Sequence, residues 1–249
     1  MIHLSVNVNK VATLRNSRGG SQPSVLRAVD VCLHAGVAGV TVHPRADQRH
    51  VTPADIRDIA RRLKARGPGV ELNIEGDPRP DLLELVREVR PDQCTLVPVA
   101  PGEVTSQAGW DAGAETNVLA DAVSDLKGRG IRVSVFVDAT LDAVRMAAAI
   151  GADRVELYTE PFARAFERGK DEAYRSFSTY VAAAEAAHAL GLGVNAGHDL
   201  DLDNLTIFRD LPYLAEVSIG HALISRALFA GLDTVVRQYL AALAGEAHR

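Results

Sequence analysis

The chain alternates eight short apolar segments with longer stretches of helical pattern, and this alternation limits the folds that it can adopt. The apolar segments are rich in β-branched residues and bounded by turn-forming residues, which is typical of strands. Predicted strands lie near 2–8, 38–43, 70–75, 93–98, 131–137, 153–158, 191–196 and 215–219. Predicted helices cover 22–35, 53–66, 79–89, 117–128, 140–150, 172–190, 202–210 and 222–243.

Eight strand–helix pairs in 249 residues are the number and size of a (β/α)8 TIM barrel, so we expect residues 1–249 to form a single barrel domain. A doubly wound parallel sheet is the alternative, although such sheets usually have fewer strands. Thr52-Pro53 is a helix-start signal, because threonine caps helices and proline suits the first turn. In the last helical stretch, we expect Leu228, Phe229, Val235 and Leu240 to pack on the barrel, with an interface as the alternative for some of them.

Polar and apolar residues alternate within several strands, which is unusual for parallel strands covered on both faces. In the third strand, Glu71, Asn73 and Glu75 alternate with apolar neighbours. Period two places each set on one face, so the polar set is expected to line the barrel interior. There its charges need partners. Candidates for an interior charge network are Glu71, Arg132, Arg154, Glu156 and Glu216; the alternative is a half-exposed antiparallel sheet, which the intervening helices disfavour.

Composition and charge exclude several classes of function. The net charge of −5 and the 5% aromatic content provide neither the positive surface nor the stacking side chains that nucleic-acid binding needs. No apolar run approaches the length of a membrane span. Cys32 and Cys94 cannot form a disulfide framework, and the first residues lack the apolar block of a signal peptide. We therefore expect a cytoplasmic protein without nucleic-acid or membrane partners.

Several proton-exchanging residues follow the predicted strands at their carboxyl ends, where barrel active sites form. His43 follows the second strand, Glu75 ends the third, Glu156 lies in the sixth and His198 follows the seventh. A single histidine or glutamate at such a position is usually structural. Together at one barrel mouth, however, these four residues predict an acid–base site, because histidine titrates near neutral pH and burial raises glutamate pKa values.

Two features predict anion binding at the same mouth. Gly220 and His221 precede a helical stretch after the eighth strand, the usual phosphate position in these barrels. A basic cluster after the first two strands predicts a second anion site, although a solvated basic loop fits equally well; the cluster comprises Arg15, Arg18, Arg45, Arg49 and His50. The long segment 97–111 contains prolines and glycines and is either a lid over the substrate or a surface insertion.

Other chemistries receive less support. A Schiff-base enzyme needs a lysine in the mouth, and only Lys10 lies near a strand end. No nucleotide-binding glycine motif is present. A metal site remains an alternative, but its candidate ligands have no recognised metal-binding spacing, so we expect neither metal nor cofactor. Those candidates are His43, Glu75, Glu156, His198 and His221.

Taken together, six segments resemble the pyridoxine 5′-phosphate synthase family of vitamin B6 biosynthesis. They are 6–19 (VNVNKVATLRNSRG), 39–50 (GVTVHPRADQRH), 72–75 (LNIE), 96–98 (LVP), 194–198 (VNAGH) and 219–224 (IGHALI). The resemblance implies a (β/α)8 barrel with extra helices, assembled as a homo-octamer. It also implies condensation of 3-amino-2-oxopropyl phosphate with 1-deoxy-D-xylulose 5-phosphate, which gives pyridoxine 5′-phosphate, phosphate and water. These small phosphorylated substrates would occupy the two anion sites.

The resemblance also implies a role for each matching residue. His43 and Glu75 would accept protons, His198 would donate one, and Glu156 would stabilise charge in the transition state. The amino-ketone phosphate would bind Asn7, Arg18, Asp199, Gly220 and His221, and the deoxyxylulose phosphate would bind Asn9, Lys10, Arg45, His50 and Thr105.

Some positions and functions stay open. Another form of the family has Asp-His at Asn9-Lys10 and glycine at Asp199, so we expect the Asp199 carboxylate to face the substrate amine or turn away from phosphate. Glu71 competes with Glu75 for the role of proton acceptor, since both lie on one face of the third strand. A metal-dependent sugar-phosphate isomerase or epimerase and a non-catalytic phosphate-binding barrel are the alternative functions.

Overall fold

A closed barrel of parallel strands forms the centre of the protein. The computed structural model describes residues 1–99, 106–113 and 116–246. Within these residues, eight strands pair in chain order and β8 closes on β1. This arrangement confirms the (β/α)8 barrel and excludes the doubly wound sheet. The strands are β1 (His3–Asn7), β2 (Gly39–Val42), β3 (Glu71–Gly76), β4 (Gln93–Leu96), β5 (Arg132–Val137), β6 (Arg154–Tyr158), β7 (Gly193–Gly197) and β8 (Leu214–Ile219).

Helices surround the barrel and follow the strands in the order that the sequence predicts, with additional ones between them. Among the described residues they are α1 (Asn9–Asn16), α2 (Val25–Ala35), α3 (Pro53–Arg66), α4 (Pro80–Val89), α5 (Asn117–Gly128), α6 (Leu141–Ala149), α7 (Glu160–Arg168), α8 (Lys170–Ala189), α9 (Leu205–Phe208), α10 (His221–Ala230) and α11 (Leu232–Ala244). None of these helices has the length and apolar character that crossing a membrane requires.

The helix predictions are wrong in several places. The sequence analysis missed α1 and α7, which extend the barrel directly after β1 and β6. The predicted helix 222–243 is two helices, because Gly231 has a φ of 85° and ends α10. The predicted helix 22–35 begins only at Val25, where the Ser24 side chain accepts a hydrogen bond from the backbone of Arg27. The predicted helix 202–210 is limited to α9.

The last two helices expose part of their apolar surface. Val235 is fully buried against the core and Leu240 packs on it. Leu228 and Phe229 are instead 66% and 93% exposed, so the expectation that they pack on the barrel is wrong. Both precede Gly231, where the chain turns from α10 into α11 and leaves the end of α10 outside the core.

The alternation within the strands places two different environments on the two faces of the barrel wall. Apolar strand residues such as Leu4 and Ile74 join the core beneath the helices. Polar residues of the same strands line the interior and bond across strands. Thr41 Oγ1 lies 2.7 Å from Ser5 Oγ, and Thr95 Oγ1 donates to Asn73 Oδ1 at 3.0 Å. The interior is thus a hydrogen-bonded polar layer that can accommodate further polar groups.

Charged residues form the layer of the interior near the amino ends of the strands. Arg132 pairs with Glu71, and Arg154 donates to Asn195 Oδ1 at 2.8 Å. Asn195 in turn donates to the Glu216 carboxylate at 3.2 Å. The charge network that the alternation predicts therefore includes Glu71, Arg132, Arg154 and Glu216. Glu156 lies closer to the carboxyl ends of the strands and belongs to the mouth.

Candidate active site

The carboxyl ends of the strands enclose one cavity at the barrel mouth. Most of its lining comes from residues that directly follow strands, as expected for this fold. All the site residues that the sequence predicts line this cavity, except Arg18 and Thr105. The complete lining is Asn7, Asn9, Lys10, His43, Arg45, His50, Glu75, Ser106, Glu156, His198, Asp199, Leu200, Ser218, Ile219, Gly220, His221 and Ala222.

Two predicted site residues are not placed in the cavity. Arg18 is exposed in the turn after α1 and does not line the cavity in this structure. Thr105 lies outside the described residues. The role of either residue in holding a phosphate therefore remains a prediction.

The predicted basic cluster is not a single site. Arg15 makes a bidentate ion pair with Asp55, at 2.5 and 2.9 Å, and is directed away from the cavity. Arg49 pairs with the neighbouring Asp47 at 2.7 Å on the surface. Of the predicted basic residues, only Arg45 and His50 line the mouth. The sequence does not reveal the carboxylates that pair with Arg15 and Arg49.

Glu75 is a buried acid near the end of β3. Its side chain is only 5% exposed and accepts a hydrogen bond from Asn7 Nδ2 at 3.4 Å. The Nδ1 atom of His43 lies 3.7 Å from the same carboxyl oxygen. Burial raises the pKa of Glu75 to about 7, although His198, Arg45 and a hydrogen bond from Ser218 favour the charged form. Glu75 can therefore both accept and release a proton at neutral pH.

Backbone hydrogen bonds fix the position of His43 relative to the first loop. The His43 backbone N–H donates to Asn9 Oδ1 at 2.9 Å, and the Asn9 backbone N–H donates to Asn7 Oδ1 at 3.1 Å. Asn7 thus contacts Glu75 through its nitrogen and Asn9 through its oxygen. The two asparagines connect the loops after β1 and β2 to the acid on β3.

Arg79 holds the loops after β2 and β3 together from outside the cavity. Its Nη2 donates to the backbone carbonyl of Pro44 at 2.6 Å, between His43 and Arg45. Its Nη1 binds the Asp77 carboxylate at 2.5 Å, in the loop that follows Glu75. The sequence analysis did not single out Arg79. Its position directly before Pro80 marks the start of α4 but does not reveal its long-range partner.

The Glu156 carboxyl group lines the mouth beside Gly197 of β7, which has no side chain. A Cβ atom on Gly197 would lie 2.4 Å from Glu156 Oε1, so only glycine leaves room for this carboxyl group. Burial raises the pKa of Glu156 well above its usual value, and the negative charges of Glu75 and Glu216 raise it further.

His198 packs against two aromatic rings at the edge of the mouth. Its ring centre lies 4.8 Å from that of Phe136 and 5.5 Å from that of Tyr158. The Phe136 ring belongs to a small apolar cluster inside the barrel, with Val97 and Tyr158. This packing limits the orientations that the His198 imidazole can adopt at the mouth.

Positive groups are concentrated on one side of the mouth. Burial lowers the pKa of His50 to about 4, and the charges of His43, Lys10 and Arg45 lower it further. Across the cavity, α10 begins at His221, with Gly220 before it. A Cβ atom on Gly220 would lie 3.0 Å from Asn7 Cβ, so glycine allows close approach of the two loops. The mouth thus has two regions that favour anions, one cationic and one at a helix start.

Part of the long loop after β4 packs against the barrel. The Gly109 N–H donates to Asp138 Oδ1 at 3.0 Å, and Trp110 Nε1 donates to the carbonyl of Leu96 at 2.9 Å. Ser106 reaches the cavity. Residues 100–105 of this segment lie outside the described part of the chain, so the lid remains a prediction.

Comparisons with known proteins identify the family of this chain. Residues 4–245 match the model of the PdxJ family, described as pyridoxal phosphate biosynthesis protein PdxJ. The chain belongs to the PdxJ family. It is 50% identical over 240 residues to a pyridoxine 5′-phosphate synthase of Porphyromonas gingivalis, covering 96% of this chain and 98% of that protein. The corresponding enzyme of Leptospira biflexa is 47% identical over 253 residues, covering 98% and 97%.

The fold of this PdxJ chain is shared with more distant barrels. The solved structure of a thiamine phosphate pyrophosphorylase from Pyrococcus furiosus superposes with a TM-score of 0.64 over 98% of this chain and 96% of that one. Its sequence identity is only 12%, so this similarity supports the barrel fold and no shared activity.

No three histidine, cysteine or acidic side chains within 1–99, 106–113 and 116–246 converge in a way that could hold a metal ion.

Two serines that the sequence does not single out, Ser218 and Ser106, line the PdxJ-family cavity. A serine alone carries no specific signal of an active site, and only the alternation of β8 places Ser218 on the interior face above Glu216.

We predict that the His50 imidazole is neutral at pH 7 and titrates near pH 4. Since the Lys10 charge contributes to this low pKa, Lys10→Met should raise it, while the burial that dominates keeps it below the ordinary value of about 6.5. Long-range ¹H–¹⁵N NMR would follow the ring nitrogens, with His50→Gln as the assignment control. A pKa of 6 or above in the unsubstituted protein would contradict the described electrostatics.

Proposed function

We propose that this PdxJ-family chain condenses 3-amino-2-oxopropyl phosphate with 1-deoxy-D-xylulose 5-phosphate to give pyridoxine 5′-phosphate, phosphate and water. The observation that carries the proposal is the convergence of Glu75, His43, Glu156 and His198 beside cationic groups at one mouth. Family membership and relatives named pyridoxine 5′-phosphate synthase support the same activity.

The reaction requires repeated proton transfers, which the buried acids and histidines can supply. Imine formation between the substrates, loss of phosphate, addition of water, ring closure and dehydration each move protons. Glu75, with a pKa of about 7, and the adjacent His43 would accept protons, and His198 would donate them. Glu156 would stabilise positive charge in the transition state whenever it is ionised. None of these steps needs a redox cofactor, a metal ion or a covalent bond to an enzyme lysine.

The two phosphate groups would occupy the two anion-favouring regions. Lys10, Arg45 and His50, together with Asn9 and Thr105, would hold the deoxyxylulose phosphate. Burial contributes most to the low pKa of His50, and the nearby positive charges of His43, Lys10 and Arg45 lower it further. These positive charges support the assignment, because they would attract a phosphate. The amino-ketone phosphate would bind the start of α10 at Gly220 and His221, together with Asn7, Arg18 and Asp199.

Asp199 is the unusual member of the amino-ketone site, since a carboxylate repels phosphate. Burial and the nearby Glu160 raise the pKa of Asp199, whereas His221, Arg164 and Lys10 act in the opposite direction. We propose that its carboxyl group contacts the substrate amine. An ionised Asp199 would attract the ammonium form of this group, and a protonated one could still form a hydrogen bond.

We also propose that residues 1–249 act as one catalytic domain, in the cytoplasm, as a homo-octamer. The family resemblance supports the octamer, and the exposed Leu228 and Phe229 offer apolar surface for subunit contact. Sedimentation velocity should give a species of eight chain masses, and a monomer across the working concentration range would contradict the assembly. Fractionation of the source cells should place the activity with cytoplasmic markers.

The reaction itself is tested by mixing the protein with both substrates and measuring the pyridinol chromophore and released phosphate. Glu75→Gln and His43→Ala should each lower product formation by about a hundredfold or more, because each removes a proton acceptor beside the substrates. Glu71→Gln is the matched control, since it changes a glutamate of the same strand face outside the cavity. Circular dichroism would check that every variant is folded.

The alternatives give different outcomes in the same assay. Full activity of both Glu75→Gln and His43→Ala would overturn the assignment of proton acceptors. Stoichiometric bound metal and inactivation by a chelator would identify a metal-dependent sugar-phosphate isomerase or epimerase instead. Binding of both phosphates with no turnover would identify a non-catalytic barrel.

A further inference from the structure

Two successive residues at the end of β7 have a backbone conformation that side chains disfavour. His198 has a φ of 79° and Asp199 a φ of 57°, both in the left-handed region. A residue with a Cβ atom adopts this region only at a cost in free energy, so the conformation persists only where neighbouring groups enforce it. Both residues line the cavity, which makes the groups that hold their backbone relevant to the proposed reaction.

Thr159 holds the backbone carbonyl groups of Gly197 and His198. It precedes α7 and is fully buried, yet its hydroxyl does not cap the helix. The hydroxyl donates instead to the carbonyl oxygen of Gly197 at 2.7 Å and also contacts that of His198. The Thr159 backbone N–H adds a third contact, to the Gly197 carbonyl at 3.0 Å. The buried Thr159 side chain thus binds the backbone carbonyl groups of two successive residues, Gly197 and His198.

Asn204 performs a similar function for the next residue. Its side chain is buried, and its Nδ2 donates to the carbonyl of Asp199 at 2.9 Å. Its Oδ1 accepts from the backbone of Asp201 at 2.9 Å, which closes the loop around the amide group. Both polar ends of Asn204 are therefore used to fix the chain after His198.

We propose that Thr159 and Asn204 are positioning residues that hold His198 and Asp199 in the left-handed conformation and so direct the imidazole into the mouth. The inference rests on the proposed function for its effect on catalysis. The His198 ring is already packed against Phe136 and Tyr158, so relaxing its backbone would separate the imidazole from this aromatic support. Loss of the Thr159 hydroxyl should lower turnover more than substrate binding, because displacement of a catalytic group by about 1 Å can cost about a hundredfold in rate.

The test compares variants that differ only in the hydroxyl group. Thr159→Val keeps the branched shape but removes the donor, and Thr159→Ser keeps the donor. Thr206→Val is the matched control, because the Thr206 hydroxyl donates to a local carbonyl, that of Asp203, at 2.6 Å on the surface. We expect kcat to fall about tenfold or more in Thr159→Val with KM values changed less than about threefold, to recover in Thr159→Ser, and to stay unchanged in Thr206→Val.

A structural readout separates this inference from the proposed function. In the unliganded protein, the His198 imidazole signals in ¹H–¹⁵N NMR should shift in Thr159→Val and return in Thr159→Ser, while the His50 signals stay in place. Unchanged His198 signals together with unchanged kcat in folded Thr159→Val would overturn the proposal. Absence of product from the unsubstituted protein would refute the proposed function, and the NMR comparison would still test the positioning.

A second variant covers the case in which Thr159→Val does not fold. Asn204→Leu keeps the number and branching of the side-chain heavy atoms, and it removes both the donor to the Asp199 carbonyl and the acceptor of the Asp201 N–H. It should raise the KM for the amino-ketone phosphate about tenfold and shift the His198 signals by way of the neighbouring residue. Unaltered KM and unaltered His198 signals in folded Asn204→Leu would contradict the proposal.

Discussion

Burial of carboxyl groups inside a closed barrel is the interaction on which the site depends. Removing a carboxylate from water disfavours its charged form, and neighbouring carboxylates add to the effect. Glu75 and Glu216 both have pKa values raised to about 7. Burial raises the pKa of Glu156 well above its usual value, and the nearby Glu75 and Glu216 add to this effect. A barrel filled with apolar side chains would hold no such groups, so the polar interior provides the proton-exchanging capacity of the mouth.

A glycine beside Glu156 and hydrogen bonds from residues outside the cavity keep the groups of the mouth in place. Gly197 leaves the space that the Glu156 carboxyl group occupies. Outside the cavity, Arg79 joins the loops that carry His43 and Glu75, and Thr159 holds the backbone of His198. The groups proposed to react therefore come from separate strands and loops, and residues outside the cavity lining support their positions. Such support is what a preorganised site requires.

The sequence predicts the barrel well, because eight β-branched runs and their spacing are local signals that tertiary packing did not override. It misses α1, which starts at Asn9 without a side-chain cap, and it overlooks the break at Gly231 within a continuous helical pattern. Within the site, the strand ends identify His43 and Glu75. The ion pair of Arg15 with Asp55 could not be predicted, since the partners are 40 positions apart and pair only after folding.

The central claim is that burial brings the Glu75 carboxyl group to a pKa of about 7. A ¹³C NMR titration of protein labelled at the glutamate side-chain carboxyl carbon measures this directly, with Glu75→Gln to assign the signal. The structure predicts a carboxyl resonance with a midpoint near pH 7 that is lost in the variant, and a higher midpoint in Arg45→Gln, because the Arg45 charge favours the ionised form. A Glu75 midpoint at or below the ordinary value of about 4.3 would contradict the account.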